Sequence, residues 1–389
     1  MAEIVKTSYK IIVALFTAIC MLMLTLAGCG GNTGNEMEEG GAPEISGLAY
    51  ESELQLERAT EFSVYHYEGG YDLIDIHEGD KFLLVPEGGK VPESVPEGIT
   101  VLQKPVDKIY LAATATMAMF CSCDALDHIR MSSIKENDWS FDEPREAMAN
   151  GKIIYAGRYS TPDYETLFDE ECDLAIESTM IYHTPEVKEM IEKLDVPVLV
   201  DRSSYEEDPM GRAEWIKLYG VLTDHQEEAN AFFDEQMQKL KDLDDFENTE
   251  KTVAFFYLTA DGKVVVRKST DYVPKMIEIA GARYAFSDLE DDSDRTSVDM
   301  SVETFYATAV DADYIIYNGS IDGSVKTMED LLAKDPVMKE LKAVKDNKCW
   351  VTGDSMYQRT DIIADLILDF HKAFTEDDPS DLQYLQKLQ

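Results

Sequence analysis

With 35 lysines and arginines against 77 aspartates and glutamates, a formal charge of -42, cations gathered in one place are the residues best able to act on a ligand. One segment gathers them: Asp201-Arg202-Ser203-Ser204-Tyr205 through Pro209-Met210-Gly211-Arg212. Two guanidiniums, two hydroxyls and a phenol on one loop suit an oxygen-rich anion, because arginine meets a carboxylate through two parallel N–H bonds. The alternative is a surface loop whose arginines pair with Glu206, Glu207 and Asp208. Arg267-Lys268 ahead of Tyr272, and Tyr357-Gln358-Arg359, repeat the chemistry further along. With Thr114 and Thr179, each just past an apolar run, the candidate ligand set is Thr114, Thr179, Arg202, Ser204, Tyr205, Arg212, Arg267, Tyr272, Tyr357 and Arg359. Trp139 and Trp215 could stack on a planar ligand, although Trp215 lies in a helical pattern that favours the core.

Catalytic signatures do not accompany this set. The chain has no Gly-x-Ser-x-Gly, His-Glu-x-x-His, Walker loop or Gly-x-Gly-x-x-Gly. None of its six histidines pairs with another at metal spacing, which disfavours dedicated zinc or manganese capture. Cys121-Ser122-Cys123 has one intervening residue where zinc prefers two or more. Cys121, Cys123, Cys172 and Cys349 are read as buried thiols, with one disulfide as the alternative. Asp292, Asp294 and Thr296 with Glu303 carry oxygens at calcium-loop spacing, but Ser297 stands where that loop needs glycine. Met180, Tyr182 and His183 are side chains capable of ligating haem iron, against which a structural histidine is the simpler reading. The expectation is a binder with no catalytic residue and no intrinsic metal or cofactor. Nucleic acid is excluded as a partner, since neutralising phosphates takes a surplus of cations.

Cys29 is the other residue with chemistry to do. Lys6 and Lys10 precede an uncharged apolar run from Ile11 to Leu24, and then comes Leu26-Ala27-Gly28-Cys29. That is the order of an export signal, residues 1–28, and its ending resembles the bacterial lipobox, in which the cysteine thiol is lipidated. The alternative is a spanning anchor, for which the run is close to the ~17-residue minimum. A lipid-anchored protein on the outer face of the membrane is expected, with no second electrostatic hold on anionic lipid. Residues 29–48, rich in glycine, read as a flexible spacer.

The elements that must position these groups are legible in outline. Phe62–Tyr67, Tyr71–Ile76 and Lys81–Val85 alternate and are split by glycine-bearing turns, as hairpins do. From Lys108 short apolar strands alternate with helices, which predicts a parallel sheet covered on both faces. Thr161-Pro162 reads as a helix start. Ala229, Phe232, Phe233, Met237 and Leu240 recur at helical spacing. The alternation then restarts with Thr252–Tyr257, Val264–Val266, a helix over 272–280 closed by Gly281, Tyr314–Tyr317, Cys349–Val351 and a last helix over 360–374. The expected fold is α/β: an N-terminal lobe 49–222, a single long interlobe helix 223–246 and a C-terminal lobe 247–389, with the ligand cleft between two Rossmann-like lobes.

In that layout the chain, over roughly Tyr50 to Phe374, resembles the substrate-binding proteins of the iron-siderophore and cobalamin uptake class, served by ATP-driven importers. Thr161–Leu167 running into Cys172-Asp173-Leu174-Ala175-Ile176 is similar to the family's acidic helix and "PDL" strand, with cysteine for the usual proline. Ser301-Val302-Glu303 and Ala312–Ile316 repeat that arrangement. Leu341–Val351 resembles the family's "L-x-A-V-K-x-G-x-V-Y" stretch, with Asn347 for glycine. The resemblance implies a ferric chelate as ligand, with haem or cobalamin as alternatives, and a permease and its ATPase as partners of a monomer. It further implies that Glu165 and Glu303, one on each lobe, dock onto permease arginines. A hydrolase on a two-lobed scaffold, or a signalling or adhesion lipoprotein, is the reading from outside that class.

Overall fold

The computed structural model describes residues 41–289 and 295–389; the export segment, Cys29, the spacer up to residue 40 and the calcium-spaced Asp292 and Asp294 lie outside the described residues. A short unit ends at Glu44, and the sheets belong to the unit Ile45–Gln389. No helix among the described residues is long and apolar enough to cross a membrane.

Among the described residues three large sheets and one two-stranded pair carry this unit. In the first, β1 (Tyr50–Glu53), β2 (Phe62–Tyr67), β3 (Tyr71–Ile76), β4 (Lys81–Val85) and β5 (Ile99–Gln103) lie side by side in chain order. They are antiparallel as far as β4, and β5 runs parallel to it. Alternation puts Phe62, Val64 and Ile74 into the main core.

The second sheet is all parallel: β6 (Ile109–Leu111), β7 (Ile129–Ser132), β8 (Ile154–Tyr155), β11 (Leu174–Ser178) and β12 (Val198–Asp201), in the order β12-β11-β6-β7-β8. Between β8 and β11, β9 (Gly157–Arg158) and β10 (Thr161–Pro162) form a small antiparallel pair. Thr161-Pro162 is therefore extended and does not start a helix. The helix begins at Tyr164, where Asp163 supplies the cap by accepting from the Thr166 amide.

The third sheet runs β16 (Ser297–Met300), β14 (Val264–Arg267), β13 (Thr252–Leu258), β17 (Tyr314–Tyr317), β18 (Cys349–Thr352) and β19 (Leu385–Lys387), with β15 (Arg283–Tyr284) also beside β13. β13, β17 and β18 are its parallel centre. The helix Tyr272–Ile279 ends as expected: Gly281 takes a φ of +87, and a Cβ there would meet the Phe246 ring at 2.5 Å.

Between the second and third sheets the chain makes two helices. The periodic segment read over 223–246 is the helix Gln226–Leu240 followed by a tight turn, Lys241–Leu243. Ahead of it runs Pro209–Thr223, ended by Asp224 in the left-handed conformation. A Cβ on Gly220 would stand 2.6 Å from that of Ala229, so glycine lets the two helices close on each other. Pro209–Thr223 packs on Met117–Ser122 of the first lobe and on Tyr272–Ile279 and Ile363–Thr375 of the second. It is buried on nearly every side, so it has no apolar stripe for periodicity to detect. Two buried carboxylates clamp it to the chain ahead of β2. Glu214 accepts from the amides of Glu57, Arg58 and Ala59 and from Lys217, and Glu206 from Thr60, Glu61 and the Trp215 indole.

Candidate ligand cleft

In open parallel sheets, ligands bind beyond the carboxyl ends of the strands, where the strand order reverses. In the first lobe that reversal lies between β6 and β11, and Thr114 and Thr179 follow those two strands. The Thr114–Thr116 turn touches the short helix Ser355–Gln358 of the second lobe. The Thr179 and Ser204 hydroxyls are hydrogen-bonded at 3.1 Å, which ties the loop after β11 to the loop after β12.

Arg202 is engaged, but not by the neighbours expected from sequence. Its Nε and one terminal nitrogen donate to Glu61 Oε2 at 3.0 and 2.9 Å, with Glu78 at 3.6 Å. Both acids flank strands of the first sheet, Glu61 just ahead of β2 and Glu78 in the turn between β3 and β4. The guanidinium also lies 4.6 Å from the centre of the Tyr205 ring. Glu206 serves the clamp described above, and Asp208 caps the helix from Pro209 through the Met210 amide and lies 3.6 Å from Arg58.

Arg212 differs. It belongs to the first turn of the helix Pro209–Thr223 and not to a loop. Its guanidinium is stacked 4.0 Å from the centre of the Tyr272 ring on the second lobe. No carboxylate among the described residues is within ion-pair distance of it, and its Nε is buried without a partner. Asp201 and Asp271 feel its charge. Asp201, at the end of β12, is wholly buried, accepting from the Ser203 amide at 2.8 Å and from the Tyr219 hydroxyl. Asp271 caps Tyr272–Ile279 and lies 3.5 Å from Arg267. Burial pushes both carboxyls up from their ordinary value, and Arg212 pulls the other way on each. Arg267, itself mostly buried, is fixed further by Tyr284, whose hydroxyl bonds both its amide and its carbonyl.

The second lobe brings Tyr357, Gln358 and Arg359 to the same junction. Arg359 is bidentate to Asp361, both bonds 2.8 Å, and lies 5.0 Å from the centre of the Phe141 ring on the first lobe. Gln358 accepts from the Ser140 amide at 2.6 Å and donates to the Asp138 carbonyl at 2.8 Å. Trp139 packs edge-on against Phe141 and is buried, like Trp215, so neither indole is available for stacking. Available instead are large side chains at strand ends: Tyr155, Met180, Tyr182 and Tyr205 in the first lobe, Ile321 and Tyr357 in the second, all 38% to 54% exposed.

Glu165 and Glu303 are exposed, each second in a helix, Tyr164–Asp169 and Val302–Ala309, behind a capping Asp163 or Ser301. Among the described residues no cluster of three or more histidine, cysteine, aspartate or glutamate side chains could hold a metal ion. The four described cysteines are free, and burial raises each thiol to about 12. Sequence reasoning missed Glu61, Asp201 and Asp271. Asp201 had a signal, a carboxylate directly after a buried apolar run; Glu61 had none, since it arrives from beside a different sheet.

Residues 130–355 of this 389-residue chain match the family model described as periplasmic binding protein. The chain belongs to the periplasmic binding protein family. The match begins at β7 and leaves the first sheet outside it. A periplasmic heme binding protein from Pseudomonas aeruginosa has the same fold, with a TM-score of 0.58 at 15% identity over 73% of this chain and 98% of its own. So has the triscatecholate siderophore binding protein of Bacillus subtilis complexed with ferri-bacillibactin, with a TM-score of 0.55 at 15% identity over 71% and 94%. A protein of Methanocaldococcus jannaschii named as an uncharacterised lipoprotein is 24% identical over 315 residues, 75% of this chain and 73% of its own length. The two-lobed α/β architecture is thus that of solute-binding proteins, and this periplasmic binding protein is a binder and not an enzyme.

Proposed function

We propose that the protein captures an iron complex of an oxygen-rich organic chelator between its lobes and hands it to a membrane permease driven by an ATPase. The observation that carries this reading is Arg212: a guanidinium at the lobe junction, stacked on Tyr272, with no carboxylate of its own among the described residues. An anionic oxygen of the ligand completes it. Thr114, Thr179, Ser204, Tyr205 and Tyr357 supply hydroxyls and rings around that anchor, while Arg202, Arg267 and Arg359 shape the walls through their own carboxylates. Iron is cargo here and not a resident cofactor. The exposed Tyr182, Tyr205 and Tyr357 rings favour haem, flat and carboxylated, as the second reading.

In this proposal residues 1–28 are removed, Cys29 carries the lipid, 29–48 is the tether, and the monomer works at the outer face of the membrane. The lobes are 49–222 and 247–389 with 223–246 between them, and Glu165 and Glu303 meet permease arginines. Calorimetric titration of the soluble chain with ferric chelates, haem and cobalamin tests the cargo. Saturable one-to-one binding of a ferric chelate without turnover is expected; binding of haem or cobalamin alone would move the assignment, and product formation would end it. Changing both Glu165 and Glu303 to Ala should abolish uptake and leave affinity intact, since desolvated interface pairs couple by ~1.5–7 kcal/mol. Normal transport by the double variant removes the docking role.

A further inference from the structure

Glu177 sits in β11, one residue before the strand's end. Strand alternation puts it on the face of Ala175, over the core formed by Tyr110, Leu167, Ile181, Val187 and Val200. The side chain is fully buried, and neither carboxylate oxygen has a hydrogen-bond partner among the described residues. On β6 the Tyr110 hydroxyl is occupied, donating to the Gly157 carbonyl at 3.1 Å. On β12 the residue in register is Val200. Tyr164 faces it from the helix Tyr164–Asp169. On the helix Pro185–Glu192, Lys188 is held by Asp80 at 2.8 Å and Glu192 at 3.3 Å, and Glu186 is exposed, as is His183 at its foot. Cys172 precedes the strand as a buried neutral thiol.

Among the described residues no cation therefore faces this carboxyl, and a charge buried without donors is far less stable than the neutral acid. Burial alone raises it from 4.5 to about 8. The residues that follow lead into the cleft. Ser178 caps the turn Thr179–His183 by accepting from the Met180 amide. Ile181 of that turn is plugged into the same core, while Thr179 bonds Ser204 at the cleft edge.

We infer that Glu177 is a proton-controlled peg under the cleft edge: protonated, it seats the Thr179–His183 turn, and ionised, it draws water into the core and frees that turn. The consequence, a weaker hold on ligand in alkaline medium, rests on the cleft reading; the peg itself does not, and it is tested without ligand. The sign follows from linkage. A folded value above the unfolded one means stability that is complete below 4.5 and is lost as pH rises through about 8.

The test is amide hydrogen exchange of residues 179–183, corrected for intrinsic rates, with thermal melts, on wild type, Glu177→Gln and Glu177→Leu. Exchange of the wild-type turn should rise about tenfold between roughly pH 7 and pH 9. Both variants should exchange independently of pH and out-melt wild type progressively as pH rises. Parallel pH profiles for wild type and variants overturn the proposal. So does loss of folding in both variants, which would mean that the charge itself is required.

Discussion

Two arginines cross the lobe junction in mirror fashion. Arg212, following β12, lies over Tyr272 of the second lobe, and Arg359, following β18, lies over Phe141 of the first. The difference is in their counter-charges. Arg359 is bidentate to Asp361, which also accepts from Ser122 across the junction, and its neighbour Gln358 holds the backbone of Asp138 and Ser140. Among the described residues Arg212 has no such carboxylate. A guanidinium whose bonds are complete can only hold the lobes in place, whereas one with open donors can gain by meeting an anion. One flank is therefore glue and the other is site.

Removing the glue should have the largest effect. Asp361→Ala strands Arg359 and frees Ser122, and breaking a buried pair by deleting one partner costs about 3 kcal/mol or more. Urea denaturation measures it. A loss under about 1 kcal/mol would mean that Arg359 is not held by Asp361, and the contrast between the flanks would fail.

Removing the site should leave the fold nearly untouched. Arg212→Ala should weaken an anionic ligand about ten- to a hundredfold, since bonds to charged groups contribute ~1.5–3 kcal/mol, with little change in melting temperature. Arg202→Ala should do the reverse, because its guanidinium is already committed to Glu61: a stability loss and a smaller loss of affinity. If Arg202→Ala weakens binding more than Arg212→Ala does, the anchor has been misassigned.

Gln358→Ala comes next. It deletes two neutral hydrogen bonds across the junction, each worth ~0.5–1.5 kcal/mol. Stability should fall by about 1–3 kcal/mol, and the distribution of distances between spin labels on the two lobes should broaden. An unchanged distance distribution would leave Asp361 and Arg359 as the whole of the glue.

What the sequence could reveal of this contrast follows from where each signal is stored. The strands β6, β11, β12, β17 and β18 are short apolar runs, because a parallel sheet covered on both faces needs them so. The helix Gln226–Leu240 shows one apolar face and was legible for that reason. The helix Pro209–Thr223 is buried all round, so in the sequence its start looks like a loop, and Arg212 with it. Arginine, serine and tyrosine types at strand ends pointed to the right part of the chain. Which arginine is unpaired could not be read: Glu61 reaches Arg202 across the fold, Asp271 and Asp361 are close in sequence to the arginines they hold, and the equally close Asp208 turns to Arg58 and the Met210 amide instead of to Arg212. Thr161-Pro162 misled for a local reason: pairing with Gly157–Arg158 outweighs the helix-start preference.

The smallest expected effect probes how the site flank waits for its anion. Asp201 is wholly buried, and burial raises its carboxyl from the ordinary 3.8, while Ser203, Tyr219 and Arg212 act to lower it. A raised folded value means that stability is complete below 3.8 and declines as pH climbs through the folded value. Asp201→Asn keeps an acceptor for Ser203 but cannot ionise, so its stability should lack that decline, and the difference between the two denaturation curves isolates Asp201 from other raised acids. In an Arg212→Ala background the cation that stabilises the aspartate is gone and the folded value rises further, so the decline should still begin near 3.8 but extend to higher pH and reach a larger total loss before it is complete. The Arg359 flank predicts no such coupling: Arg359→Ala should leave the Asp201 difference curve where it was. If instead Arg212→Ala leaves that curve unmoved, Arg212 does not sense Asp201, and its open donors face away from the lobe junction that makes them a site.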